Sequence, residues 1–115
     1  MLKKAMLDNG EIFLGCYSMA LDMWRILLPS EWARVFRDGG GVVAVQHPNG
    51  NLVLTTKEKA VAAPDVELSR CVPCRMDERG RVAIPEAFRM LFDGGKSVTM
   101  TGMVHYVEVC GKEGC

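Results

Sequence analysis

The stretch MDERGRVAIPEAFR, residues 76–89, is the part of the chain from which the fold can be deduced. It begins with a turn signal, because Asp77 can hydrogen-bond the backbone two residues on and Gly80 adopts a positive φ freely. Residues 81–84 alternate in polarity and predict a short strand. Pro85 then favours the first turn of a helix, where its missing N–H costs nothing. A turn, a strand and a helix are therefore expected in immediate succession.

The same pattern occurs earlier, in LDMWRILLPSEWARVFRDGGG, residues 21–41. A turn, an arginine, a short strand, a proline, a helix and a glycine stop follow one another again, and Arg25 takes the position of Arg81. A fixed internal period of this kind sets the architecture of a chain. The sequence therefore predicts an internal repeat, with one unit in residues 11–57 and a second in residues 66–112.

Length and composition limit the possibilities further. The 115 residues are 49% hydrophobic, enough for one compact core, and the formal net charge is zero. No apolar run approaches the roughly 20 residues that span a bilayer, and residues 1–10 look like a loose leader without the apolar region of a signal peptide. We therefore expect a cytoplasmic protein with no membrane partner. The neutral charge gives no long-range attraction to nucleic acid.

The predicted elements are short strands joined by tight turns. A helix is expected at residues 29–37, a hairpin at residues 42–46 and 51–55, and a linker at residues 57–64 whose centre could form one helical turn. Each repeat carries one short helix, and neither repeat can cover its own hydrophobic face. The sequence predicts a mainly β fold, a single pseudo-twofold barrel made of two interleaved halves.

The chain contains five cysteines, an odd number without a secretory context, so reduced thiols are expected. Cys71 and Cys74 have the spacing of half a zinc site, which Cys110 and Cys115 could complete. Residues three apart on a strand face opposite ways, so this site would need a bend at Pro73. Buried or idle thiols are the alternative. We predict no metal and no cofactor.

Catalytic patterns are missing from the sequence. His47 and His105 lie in predicted hairpin turns, without a carboxylate or nucleophile at a recognisable spacing. No glycine-rich phosphate loop, metalloprotease signature or serine elbow occurs. The sequence therefore predicts a protein that is not an enzyme.

The arginines around the two turns are the better candidates for a functional site. Arg79 and Arg81 flank Gly80 on a tight turn, where a guanidinium can reach a phosphate or a guanine edge. Arg25 has the same place in the first repeat. Residues 70–89 contain five arginines and three acidic residues, a modest basic patch. The alternative is a solvated turn whose arginines pair with neighbouring acids at little energetic gain.

Two segments quoted above also resemble a known family. Residues 13–29 and the Asp-x-x-Gly-Arg-x-x-Ile-Pro motif of residues 77–85 resemble the two repeats of MraZ proteins, in the SpoVT/AbrB superfamily. The resemblance extends over nearly all of residues 11–110. It implies a swapped-hairpin β-barrel, ring-like homo-oligomers and sequence-specific binding of double-stranded DNA by a transcription regulator of a cell-division and cell-wall gene cluster. The DNA-binding role of the family's turns carries over to Arg25, Arg79 and Arg81.

The sequence departs from the family pattern at the first turn, the linker and the end of the chain. The first turn is one residue short, and Met23 and Trp24 replace the expected basic residue and glycine. The linker is short and the family's C-terminal helix is missing, which indicates a divergent, shortened member. We expect a homo-oligomer, because Met23 and Trp24 leave apolar surface. We also expect this protein to be associated with the nucleoid. The alternative function is an antitoxin-like or structural oligomer that uses the same barrel without binding DNA.

Overall fold

The computed structural model describes residues 13–21, 23–62, 70–92 and 97–111. The predicted leader, Asp22, the last two residues of the predicted linker, the glycine stop after residue 92 and the last four residues lie outside these ranges. Within them the elements are β1 (Cys16–Ala20), β2 (Arg25–Leu27), α1 (Ser30–Asp38), β3 (Val42–Gln46), β4 (Leu52–Thr56), α2 (Lys57–Ala62), β5 (Val72–Cys74), β6 (Arg81–Ala83), a 3-10 helix (Glu86–Phe92), β7 (Ser97–Gly102) and β8 (Val107–Cys110).

Six strands form one antiparallel sheet in the order β1-β7-β8-β4-β3-β5, and β2 pairs with β6 in a separate two-stranded ribbon. The mainly β prediction is therefore confirmed. The prediction of a closed barrel is wrong, because the sheet does not close. Its edge strands are β1 and β5, and β2 and β6 pair with each other instead of joining those edges.

Strands from the early and late parts of the chain are interleaved in this sheet. β1 pairs with β7, β3 with β5, and β4 with β8. If β1, β2, β3 and β4 are exchanged with β5, β6, β7 and β8 respectively, the same strand order is obtained from the opposite edge of the sheet. In the ribbon, Ile26 lies opposite Val82, the residue at the same position of the second arginine-strand-proline stretch. The repeat boundaries at residues 11–57 and 66–112 stay a prediction.

The core lies between α1 and the sheet. The spacing of apolar residues in α1 places one face of the helix inward, and its buried residues are Trp32, Ala33, Val35 and Phe36. The Phe13 ring packs 4.8 Å from the Phe36 ring and 6.0 Å from the Trp32 ring, between centroids. Burying side chains of this size contributes about 1.5–3 kcal/mol each, so this aromatic cluster is the main attachment of α1.

Most predicted elements occur within one or two residues of their expected bounds. The hairpin turn is confirmed by the bond from the His47 N–H to the Asn51 carbonyl, at 2.8 Å. The helix predicted after Pro85 is the 3-10 helix Glu86–Phe92, in which only Phe92 is fully buried. It therefore buries less apolar surface than α1. None of the helices in the described ranges has the length and apolar character needed to cross a membrane.

Candidate nucleic-acid interface

The ribbon of β2 and β6 has an inner and an outer face. Ile26 and Val82 lie opposite each other and are both fully buried, so they attach the ribbon to the core. Because side chains alternate along a strand, the neighbouring positions point outward. Arg25 and Arg81 occupy these positions on the two strands. The structure thus brings two of the predicted arginines onto one face.

Each arginine on the outer face lies opposite an apolar residue. Arg25 pairs with Ala83, and Leu27 pairs with Arg81. The arginines therefore lie on one diagonal of the ribbon, with their Cα atoms about 7–8 Å apart by sheet geometry. Leu27 is 48% exposed.

Asp77 organises the turn before β6, as predicted. Its Oδ1 accepts hydrogen bonds from the Arg79 and Arg81 N–H groups, both at 2.9 Å, and its carbonyl accepts one from the Gly80 N–H at 3.0 Å. The Arg81 N–H is the main cause that lowers the pKa of Asp77 to about 2, helped by the Arg81 guanidinium. The carboxylate is therefore charged at neutral pH and fixes the turn.

The same carboxylate orients the Arg81 side chain. Arg81 Nε donates to Asp77 Oδ2 at 2.7 Å, and the Arg81 side chain is 30% exposed. Within the described ranges, the two terminal nitrogens of Arg81 form no hydrogen bond to protein. This ion pair uses one edge of the guanidinium and leaves the edge with both terminal nitrogens available for a ligand.

Arg79 is exposed at the tip of this turn. Two contacts fix the backbone around it: the Glu78 carbonyl accepts from Arg37 Nη2 at 3.1 Å, and the Gly80 carbonyl accepts from the Leu28 N–H at 3.0 Å. Gly80 has φ +84° and packs against Ala33 of α1. The Arg79 side chain therefore extends from a well-supported backbone.

The turn before β2 is built differently. Met23 and Trp24 both have positive φ, at 54° and 62°, and Met23 is 79% exposed. The Arg89 guanidinium lies 5.4 Å from the centre of the Trp24 ring. Arg25 Nε is buried and has no hydrogen-bond partner in the ranges the structure describes. Arg25 thus shares the face of Arg81 but lacks an equivalent fixing carboxylate among these residues.

Sequence reasoning counted Arg89 in the basic patch but assigned it no role. Arg89 Nε donates to the Ile84 carbonyl at 3.2 Å, and the Ile84 N–H donates to the Trp24 carbonyl at 2.8 Å. Arg89 is therefore tied to the first turn through Ile84, which is 60 positions from Trp24 in the sequence. No local pattern signals such a contact.

The cysteines do not form a metal site in the described part of the chain, where no group of three potential ligands was found. Burial raises the pKa of Cys74 to about 12, so this thiol is protonated at neutral pH. Cys115 lies outside the described residues. Cys110 is disulfide-bonded, so the expectation of reduced thiols is wrong for this residue.

The fold and the ribbon define a small, mainly β protein that presents arginines on a two-stranded surface. The family model described as "MraZ protein, putative antitoxin-like" matches residues 68–113. This match confirms the resemblance to MraZ for the second part of the chain. At family level it supports an MraZ-type, antitoxin-like regulator. No curated protein matches the chain.

Proposed function

We propose that this chain is a sequence-specific DNA-binding transcription regulator of the MraZ type, with Arg25, Arg79 and Arg81 as its DNA contacts. The observation that carries the proposal is the shared outer face of Arg25 and Arg81, on a ribbon that Ile26 and Val82 hold against the core. The major groove is about 12 Å wide and admits a two-stranded β-ribbon. Such a ribbon can present both arginines to base edges at once.

The three arginines differ in what they can contact. Asp77 orients Arg81, whose terminal nitrogens match the O6 and N7 acceptors of guanine. Arg79 extends from the turn tip and suits a phosphate oxygen, a contact that positions the protein without reading sequence. Arg25 lies on the diagonal of the ribbon from Arg81 and would reach the neighbouring base step.

The proposal includes a homo-oligomer built from chains whose two repeats interleave. The net charge is zero, so one ribbon offers few phosphate contacts and several ribbons on repeated half-sites must act together. Large exposed apolar side chains, which a subunit contact would cover, support this: Leu14, Met23 and Met90. The proposed operator lies upstream of the protein's own gene, within a cluster of cell-division and cell-wall genes. The protein would therefore be associated with the nucleoid.

Fluorescence anisotropy with a duplex from upstream of the gene tests the proposal. Arg81→Ala is expected to lower the affinity about 5- to 150-fold per engaged ribbon, the equivalent of about 1–3 kcal/mol, because a bidentate base contact is lost. Arg79→Ala should lower the affinity less and reduce the slope of log K against log salt by about 1, as for a phosphate contact. Arg25→Ala shows whether the shorter first turn takes part.

Arg34→Ala is the matched control, because Arg34 is an exposed arginine of α1 outside the ribbon. It should bind like the wild type, and light scattering should give the same assembly for every variant. If the wild type and all three ribbon variants bind equally, the arginines are solvated turn residues. The antitoxin-like or structural oligomer then becomes the better assignment.

A further inference from the structure

From the outer face of the ribbon we infer that Leu27 is a specificity-determining residue that contacts the 5-methyl group of a thymine in the major groove, beside the base read by Arg81. This inference rests on the proposed DNA-binding function and adds a base class to it. The site would prefer duplexes in which a G·C pair is next to an A·T pair.

Leu27 and Arg81 form an unusually close pair. The Leu28 N–H donates to the Gly80 carbonyl, and the Ile84 N–H donates to the Trp24 carbonyl. These bonds mark alternate pairs of the ribbon as hydrogen-bonded, so Leu27 and Arg81 form a non-hydrogen-bonded pair. In such pairs the Cα atoms are only about 4.5 Å apart and the side chains lie close together. The two side chains would therefore face the same region of the groove.

The core does not account for Leu27. Its neighbour Leu28 is 3% exposed and belongs to the core, whereas Leu27 is 48% exposed and does not. A leucine gains nothing from phosphate, and the thymine methyl is the apolar group that the major groove presents. The adjacent guanidinium of Arg81 favours the groove electrostatically and suits guanine. An arginine and an apolar side chain together therefore match guanine and thymine as neighbours.

The other diagonal position repeats this combination with a smaller side chain. Ala83 lies opposite Arg25 in the second non-hydrogen-bonded pair. Alanine can also contact a thymine methyl, but it extends less far from the strand than leucine. The ribbon is therefore expected to read its two halves unequally, with the stronger thymine preference beside Arg81.

Replacement of single thymidines by deoxyuridine in the upstream duplex tests this contact, because it removes only the methyl group. For the wild type, replacement at the contacted position should weaken binding about fourfold, from the usual contribution of about 0.8 kcal/mol per buried CH₂-sized group. Leu27→Ala should bind the thymidine duplex more weakly and should be insensitive to that replacement. Met103→Ala is the matched control, since Met103 is 40% exposed and lies between β7 and β8, outside the ribbon; it should keep the wild-type sensitivity.

The outcomes separate this inference from the proposed function. If Arg81→Ala weakens binding while Leu27→Ala and the wild type respond equally to every deoxyuridine, DNA binding stands and the thymine contact is refuted. If neither Arg81→Ala nor Leu27→Ala changes binding, the proposed function fails as well. A smaller assembly of Leu27→Ala in light scattering would show that Leu27 covers a subunit contact, which also overturns the inference.

Discussion

At each end of the ribbon, the residue that precedes a strand packs against a helix, but the residues are small at one end and large at the other. At the β6 end, Gly80 packs on Ala33, and a Cβ at Gly80 would lie 3.2 Å from the Ala33 Cβ. At the β2 end, the Trp24 ring contacts the Arg89 guanidinium at 5.4 Å. In each case the last turn residue before the strand packs on the helix of the other half. Gly80 and Ala33 are both small, whereas Trp24 and Arg89 are both large.

This difference shows two ways to hold a turn. Asp77 satisfies the N–H groups of the second turn, and Gly80 supplies its positive φ without steric cost. The first turn instead has two positive-φ residues with large side chains, Met23 and Trp24, and each such residue costs about 1–2 kcal/mol. A cation–π contact, worth about 0.5–1 kcal/mol at an exposed site, offsets only part of that cost. The first turn is therefore the strained one.

A larger side chain in place of Gly80 should have the largest effect on stability. We expect Gly80→Ala to lower the free energy of unfolding by about 2–3 kcal/mol, because strain at φ +84° adds to crowding against Ala33. Urea unfolding measures the change. Gly50→Ala is the control, since Gly50 has φ +96° and a Cβ there would meet no atom within 4 Å; it should show the φ cost of about 1–2 kcal/mol alone. Equal losses in the two variants would mean that the Ala33 contact adds nothing.

Relief of the backbone strain in the turn before β2 should have a smaller effect, and it should increase stability. Met23 is 79% exposed with φ 54°, so its side chain has little packing to lose within one subunit. Asparagine tolerates positive φ better than methionine. We expect Met23→Asn to raise the free energy of unfolding by about 0.5–1 kcal/mol, measured in the same urea titration. A loss of stability would show that Met23 makes contacts beyond the strained turn.

The second turn could be predicted from sequence because its determinants are local. The hydrogen bonds that Asp77 accepts from the Arg79 and Arg81 N–H groups join residues at most four positions apart, and the motif shows both the turn and the strand. The ribbon itself depends on the pairing of Ile26 with Val82, a long-range choice that the internal repeat suggests but does not define. The open sheet follows from that same pairing, and no local pattern indicates it.

The first turn and the apolar part of the ribbon's outer face were harder to predict. The sequence shows that Met23 and Trp24 depart from the repeat, but the Trp24–Arg89 contact joins distant segments. Leu27 lies between Ile26 and Leu28 in an all-apolar stretch, so periodicity alone does not show which of them is exposed. Pairing opposite Arg81 makes Leu27 part of the outer face, and only the register of the folded ribbon reveals this.

The smallest expected effect concerns the charge that holds the second turn. Hydrogen bonds from the Arg81 and Arg79 N–H groups and the Arg81 guanidinium lower the pKa of Asp77 from 3.8 to about 2. Because the folded pKa is the lower one, this stabilisation is complete above about pH 4 and is lost as the pH falls towards 2. Asp77→Asn keeps an oxygen acceptor for the two N–H groups but cannot carry the charge.

The melting temperature of Asp77→Asn should therefore lie below that of the wild type at pH 6, and the gap should narrow between pH 4 and pH 2. Circular dichroism during heating at pH 6, 4 and 2 measures this gap, and carboxylates common to both proteins cancel in the difference. Glu78→Gln removes the same charge one position along the turn, on an exposed side chain, and should follow the wild type throughout. A gap for Asp77→Asn that stays constant across this range would assign the effect to hydrogen-bond geometry, and the Asp77 charge would then not stabilise the turn that presents Arg79 and Arg81.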